Sequence, residues 1–470
     1  MTRILAKLLL AKLAFVFAAS VIPLTPARSA NAPANDNPDM SRPLAEVIGE
    51  IKERFGLTLK IRNPELLENK TLPWAGHRIR RHSAAESLRN VLAPFDLAAD
   101  YEGGKTYRIN AYDHARRAEA EGAAEIRHLT EYYNDKSIWE KQVRMLRPAL
   151  LAALQLDPMP APPKSVPILT AARRHAGCKI QNFALEILPG VHVCGSVYMP
   201  EKPRGKCPLI VAPNGHSADG RYNNAQQILC ATLARMGAYA ISYDLFAYGE
   251  WLLQFDKADH RTPMAQTMQI LSGLRIIDSF SALPEIDATR IAVTGASGGG
   301  SQTMMLAALD DRVKTSAPVV MVSAHFDGGC PCESGRPVHL AAGGMNNCEL
   351  AALAAPRPQL IVSDGKDWTS NVPEIEYPFI KHIYALSGNA ASVENVHLPD
   401  EGHDYGPSKR AAVYAFFARQ LNLDTTAIDE TACVMEPEPA LYAFGAKGAR
   451  LPTNAVKGMA ALEKLLRESK

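Results

Sequence analysis

Six apolar runs between residues 207 and 403 constrain this chain most: "CPLIVAPNGH", "AYAISYDLFAYG", "IAVTGAS", "TSAPVVMVSA", "PRPQLIVSDG" and "VENVHLPDEGH". Each ends in a polar or glycine loop, and segments long enough for a helix separate them. Strands that are apolar on both faces with helices between them predict a mostly parallel, buried sheet, an α/β architecture. Just before them, "FALEILPGVHVCGSVYMP" reads as an antiparallel hairpin. In an open α/β sheet the loops at the strand ends converge on one edge, so reactive groups are sought there.

The rest of the chain adds flanking units. With 470 residues, 47% of them hydrophobic and 21% charged, it can bury a large core and form more than one domain. A net charge of +2 favours neither nucleic acid nor an anionic membrane surface as partner. Residues 1–29 read as a secretory signal peptide: a basic start, an apolar stretch, Pro23, then small residues around Ala27 and Ser29. An uncleaved anchor is the alternative. The mature chain is expected to be exported, periplasmic or extracellular, and off the membrane after cleavage. Over residues 43–111, Leu44, Val47, Ile48, Ile51 and Phe55 recur at helical spacing and "LTLKI" alternates as a strand. Ser83 and Glu86 form a capping box before a second helix, and two short strands flank Gly103 and Gly104, which makes a small α+β domain. Residues 112–130 read as a charged linker, 131–425 as the main α/β domain, and 426–470 as a tail with a helix in "NAVKGMAALEKLLRE".

Three strand ends carry the residue types of acyl transfer. In "IAVTGASGGGSQTMM", Gly295, Ser297 and Gly299 fit GxSxG between a strand and a helix, where the serine occupies a tight turn and its neighbours at two residues' distance must be small. GxGxxG is absent and no GK[ST] follows this turn, which argues against a phosphate loop. A serine hydroxyl needs a base and an orienting acid, and in this fold they follow in the order Ser, Asp or Glu, His. Asp367 in "SDGKDWT" is the chosen acid, with Asp364, Asp327 and Glu333 as alternatives. His403 in "DEGHDYG" is the chosen base, because His397 falls within a strand. The oxyanion of a tetrahedral intermediate would take the N–H of Gly298 and a second donor from the loop after an earlier strand, at His216 in "APNGHSADG".

No metal or organic cofactor is called for by this chemistry. Eight cysteines are present, and an exported chain could pair some of them. Structural zinc usually takes two pairs spaced by two to four residues, whereas Cys330 and Cys332 are one residue apart, so a disulfide among Cys330, Cys332 and Cys348 is expected ahead of a metal.

Taken together, "CPLIVAPNGH", "YDLFAYGE", "VTGASGGGSQT", "NNCELAALAAPRPQLIVS", "KDWTSNVPEIEYPFIKHIYAL" and "EGHDYG" resemble bacterial α/β-hydrolases of the acetylxylan esterase type over most of residues 132–423. The resemblance implies Ser297, Asp367 and His403 as the triad and an acetylated oligo- or polysaccharide as the ester substrate. Trp251 stands where that family has a serine after "YGE", and Cys348 where an aliphatic residue is expected; both put the substrate pocket in doubt. The 43–111 unit resembles the short N-terminal domain of secretins and TonB-dependent receptors, which implies a protein partner; a spacer role is the alternative. Competing functions are a prolyl oligopeptidase-like peptidase, for which the preceding region is too short to hold a propeller, and a general carboxylesterase. A glucuronoyl methylesterase competes as well, though Gly298 and Gly299 stand where its motif has an arginine. An inactive interaction protein is the fourth.

Overall fold

The structure, a computed structural model, describes residues 40–333 and 336–469. The leader expected over residues 1–29 lies outside them. Two compact units divide between Tyr112 and Asp113. Among the described residues no helix is long and apolar enough to cross a membrane.

In the smaller unit, a helix over Leu44–Phe55 buries Leu44, Val47, Ile48 and Ile51, the positions its periodicity marked. A second helix, Ala84–Leu92, starts where the Ser83 hydroxyl accepts the Glu86 N–H at 3.1 Å. Both cover a three-stranded sheet whose centre, Thr106–Ala111, pairs antiparallel with Leu97–Gly103 and parallel with Thr58–Ile61.

The larger unit is built on a ten-stranded sheet. Its eight main strands are β1 (Cys178–Leu188), β2 (Val191–Pro200), β3 (Cys207–Val211), β4 (Tyr239–Tyr243), β5 (Ile286–Ala296), β6 (Val313–Val319), β7 (Gln359–Asp364) and β8 (Val393–Leu398). Across the sheet they run in the order β1-β2-β4-β3-β5-β6-β7-β8, with two short edge strands beyond β1. The hairpin β1–β2, the pair β2–β4 and the two edge strands on β1 are antiparallel; the remaining pairs are parallel. Every residue of β3 and β7 is buried, as strands covered by helices on both faces must be. Helices α1 (Asn224–Arg235) and α2 (Pro263–Ser281) follow β3 and β4 in the chain, and α3 (Gly298–Leu309), α4 (Glu376–Leu386) and α5 (Pro407–Leu421) follow β5, β7 and β8.

Two flanking segments belong to this unit more closely than their composition suggests. The stretch read as a linker is helical over Glu119–Tyr132, the Arg117 N–H donates to the His325 carbonyl at 2.8 Å, and a Cβ on Gly122 would lie 2.8 Å from that of His325. In the tail, Leu441, Ala443 and Phe444 are buried, and the Ala443 and Phe444 N–H groups donate to the Glu250 carboxylate at 2.6 and 2.7 Å.

Candidate active site

The β5-to-α3 turn holds Ser297 at φ 57°, ψ −124°, a conformation that non-glycine residues rarely adopt and that costs on the order of 1–3 kcal/mol. The surroundings that enforce it are backbone. A Cβ on Gly295 would lie 2.5 Å from the Pro213 carbonyl oxygen, and one on Gly299 would press on the same atom. Gly300, for which the motif gave no reason, has one here: its Cβ would lie 2.6 Å from that of Met321. The turn is also tied to the sheet, because the Ser297 N–H donates to the Val319 carbonyl at 3.1 Å.

His403 follows β8 and Asp367 follows β7, neighbouring parallel strands, so their loops emerge side by side. His403 Nδ1 lies 2.6 Å from Asp367 Oδ2. The other carboxylate oxygen, Oδ1, accepts both the Thr369 N–H and its hydroxyl, each at 2.6 Å. Burial alone would raise the Asp367 pKa, but the bonds from His403 and Thr369 outweigh it and hold the carboxyl below its ordinary value. The imidazole is tilted against the Trp368 ring, centroids 4.3 Å apart, and Trp368 rests edge-on to Phe326.

Behind this pair sits Lys409, wholly buried in the first turn of α5. Its ammonium donates to the Gly402 carbonyl at 2.7 Å and lies 2.8, 3.3 and 3.4 Å from Asp404, Glu401 and Asp364. It thereby staples the loop that carries His403 to the end of β7. Sequence reasoning passed over it, since a lysine in a helical pattern reads as a solvated face.

Of the alternatives, Asp364 is the partner of Lys409, and its pKa is raised by burial and by the nearby charge of Asp367. Asp327 is buried between Arg117 and His339, at 3.4 and 3.8 Å. Glu333 faces His216 Nδ1 at 3.4 Å and accepts the Gly329 N–H at 3.0 Å. His397 stays in β8, its Nδ1 2.9 Å from the Ser363 hydroxyl. None of these three carboxylates is hydrogen-bonded to His403.

Ser297, His403, His216, Asn214, Gln226 and Tyr405 line one open cleft of about 550 Å³. Among the described residues, no hydrogen bond joins the Ser297 hydroxyl to His403, and no backbone carbonyl accepts the N–H of His216. Catalytic hydrogen bonds are often long in unliganded sites and tighten around substrate. Gly298 is the first residue of α3, so its N–H has no partner within the helix. A serine on such a turn, a carboxylate-held imidazole beside it and two unclaimed amides are the parts that acyl transfer requires.

Two sequence expectations change. All eight cysteines are thiols, so the disulfide among Cys330, Cys332 and Cys348 is not formed. Cys332 Sγ is instead turned to His216 Nε2 at 3.1 Å, and Cys348 is buried in the first turn of its own helix. Trp251 is not a pocket residue: it is buried, donates from Nε1 to the Asp244 carbonyl at 3.2 Å and packs on Phe246 and Phe255.

A family model described as acetyl xylan esterase (AXE1) matches residues 268–330, which span α2, β5, the Ser297 turn, α3 and β6. The hydrolase YtaP of Bacillus subtilis (strain 168) is 29% identical over 234 residues, 43% of this chain and 75% of that one. Among solved structures, methylesterase BT1017 is 47% identical, covers 92% of this chain and 96% of its own, and superposes with a TM-score of 0.81. Identity of that size across nearly both whole chains is common ancestry, not a shared fold alone, and the chain is therefore an α/β-hydrolase of the family to which that methylesterase belongs, an ester hydrolase.

Proposed function

We propose that this chain cleaves the methyl ester of a carbohydrate-borne carboxylate, with Ser297 as nucleophile, His403 as base and Asp367 as orienting acid. The observation that carries the reading is the 2.6 Å contact between His403 and Asp367, set in one cleft with a strained serine. His403 takes the serine proton as the hydroxyl attacks the ester carbonyl, and the N–H groups of Gly298 and His216 receive the oxyanion. The protonated imidazole then gives its proton to the leaving alcohol, and a water activated by the same imidazole releases the acid.

The choice of ester rests on extent of similarity. The methylesterase matches 92% of this chain, whereas the acetyl xylan esterase model matches only residues 268–330, the turn and its supports. The two esters leave different groups on Ser297. A methyl ester loses methanol and leaves a sugar acid on the enzyme; an acetylated sugar leaves acetyl, and the sugar departs. A deacetylase is the second reading, favoured by that shorter match. Methanol and acetate release should be measured in parallel from a methyl-esterified polyuronide and from acetylated xylan. Methanol release that Ser297→Ala abolishes supports the proposal; acetate release alone replaces it with the second reading, and turnover unchanged in Ser297→Ala refutes the triad. Export and a protein partner for the smaller unit stand beside this as proposals from the sequence, the first supported by the character of residues 1–29.

A further inference from the structure

A second cluster of reactive side chains borders the Ser297 turn. His216 comes from the loop after β3, His260 from the short turn before α2, and Cys330 and Cys332 from the loop after β6. One ligating atom from each lies within 4.8 Å of all the others. His216 Nε2 is 2.8 Å from His260 Nε2 and 3.1 Å from Cys332 Sγ. A tetrahedral zinc ion with ~2.0–2.1 Å bonds to nitrogen and ~2.3 Å bonds to sulfur sets ligand separations of roughly 3.3–3.8 Å. The separations of 2.8 and 3.1 Å and the 4.8 Å outer limit lie within about an ångström of those distances.

The outer nitrogens say what the inner ones are for. His260 Nδ1 is 2.7 Å from the Phe246 carbonyl oxygen, which can only accept, so that nitrogen carries the hydrogen and Nε2 presents a lone pair. His216 Nδ1 lies 3.4 Å from the Glu333 carboxylate, an acceptor towards which that nitrogen can turn its hydrogen. Glu333 is itself held, by the Gly329 N–H. An imidazole that donates to a carbonyl or carboxylate on one side and offers a lone pair on the other is the arrangement of metal-bound histidine. Two such nitrogens facing each other at 2.8 Å beside two thiols can share one cation. His260, Cys330 and Cys332 are buried, while His216 is about one quarter exposed and leaves a path for entry.

We propose that His216, His260, Cys330 and Cys332 bind one zinc-class divalent ion. Thiolate and imidazole donors suit zinc and exclude calcium and magnesium. Binding is balanced by two protons: each thiol loses one to solvent as its sulfur bonds to the metal, and no electron moves. Four protein ligands close the coordination sphere, so the ion is structural and opens no site for substrate. Its effect is on the neighbouring turn. A Cβ on Gly298 would lie 3.1 Å from Glu333 Oε1 and 3.2 Å from His216 Nδ1, so the ion would fix the His216 loop directly against α3. The coordination does not depend on the proposed reading of Ser297.

The test is metal content of the whole purified chain, prepared without chelator or metal-affinity resin. One zinc per chain is expected, absent from the Cys330→Ser/Cys332→Ser variant, with Glu333→Gln weakening retention against a competing chelator by ~10–100-fold. Should the double variant fail to fold, exchange of wild-type chain with cobalt decides. Thiolate-to-cobalt charge transfer with strong tetrahedral d–d bands supports the site, and a weak octahedral spectrum overturns it. Equal metal in wild type and folded variant overturns it too, as does a metal-free wild type whose thiols alkylate freely or whose mass shows the loss of two hydrogens in a Cys330–Cys332 disulfide. Ester hydrolysis lost with metal content intact would count against the proposed function and leave the metal site standing.

Discussion

Asp367→Asn isolates the proposed orienting acid, because the structure dictates which way the new amide must face. Asp367 Oδ1 accepts two donors, the Thr369 N–H and hydroxyl, both at 2.6 Å. An amide NH₂ cannot accept from either, so the Asn oxygen must occupy that position and the NH₂ must take the place of Oδ2, 2.6 Å from His403 Nδ1. Two N–H groups cannot face each other there. His403 is driven to carry its hydrogen on Nε2, which leaves the nitrogen that should accept the serine proton already protonated. The wrong tautomer should lower kcat by ~10³–10⁴-fold with the fold intact. That corresponds to about 4–5.5 kcal/mol of transition-state stabilisation. The assay is methanol release at saturating substrate, with thermal unfolding as the control for structure. If Asp367→Asn stays within a few-fold of wild type while Asp364→Asn collapses, the acid has been assigned to the wrong carboxylate.

Three further outcomes are expected. Lys409→Met leaves Asp364, Glu401 and Asp404 without their buried cation and should cost ~3–5 kcal/mol in denaturant unfolding, with kcat falling as the His403 loop loosens. Glu376, wholly buried and accepting the Ala324 N–H at 2.8 Å, has its pKa pushed up to about 7 by burial. A raised carboxyl pKa favours the folded state below its unfolded value, ~4.3, and that contribution is lost as pH rises through about 7. Wild type should therefore lose about 4 kcal/mol across that window, while Glu376→Gln, neutral throughout, shows a flatter profile; equal pH profiles for the two would refute the shift. Gly300→Ala should destabilise by ~1–3 kcal/mol through the overpacked contact with Met321, and the same substitution should cost less when made in a Met321→Gly background, where the opposing Cβ is gone.

The sheet and the three strand-end residues were legible because each depends on a local pattern. Apolar runs of strand length mark buried strands wherever they fall, and GxSxG marks a turn whose constraint lies within five residues. The contact of His403 with Asp367 in place of Asp364 has a related reason: three more residues of loop separate a carboxylate free to leave the sheet from one still inside it. What failed was composition read as role. A charged stretch over 112–130 looks like a linker until Gly122 is seen against His325, and Lys409 looks solvated until three carboxyl groups close around it. The four residues of the second cluster stand at 216, 260, 330 and 332, so only the convergence of three loops at one sheet edge brings them together. Spacing rules for metal sites describe ligands on one small motif and say nothing about ligands gathered by a sheet.

That convergence also explains why the two halves of the cleft are fastened separately. Asp367 and His403 follow adjacent strands, β7 and β8, and Lys409 ties both loops from beneath. Ser297 and the His216 loop belong to β5 and β3, and they are held by backbone packing at Pro213 and by the contacts of His216 with Glu333, His260 and Cys332. No side-chain hydrogen bond crosses between Ser297 and His403, so nothing within the pair fixes their separation; the rigidity of each half must do it. A misplacement of about 1 Å can cost ~10²-fold in rate, which puts the burden of preorganisation on residues that never touch substrate. Lys409 on one side and Glu333 on the other are the residues through which that burden runs, and both are buried charges held by more than one partner.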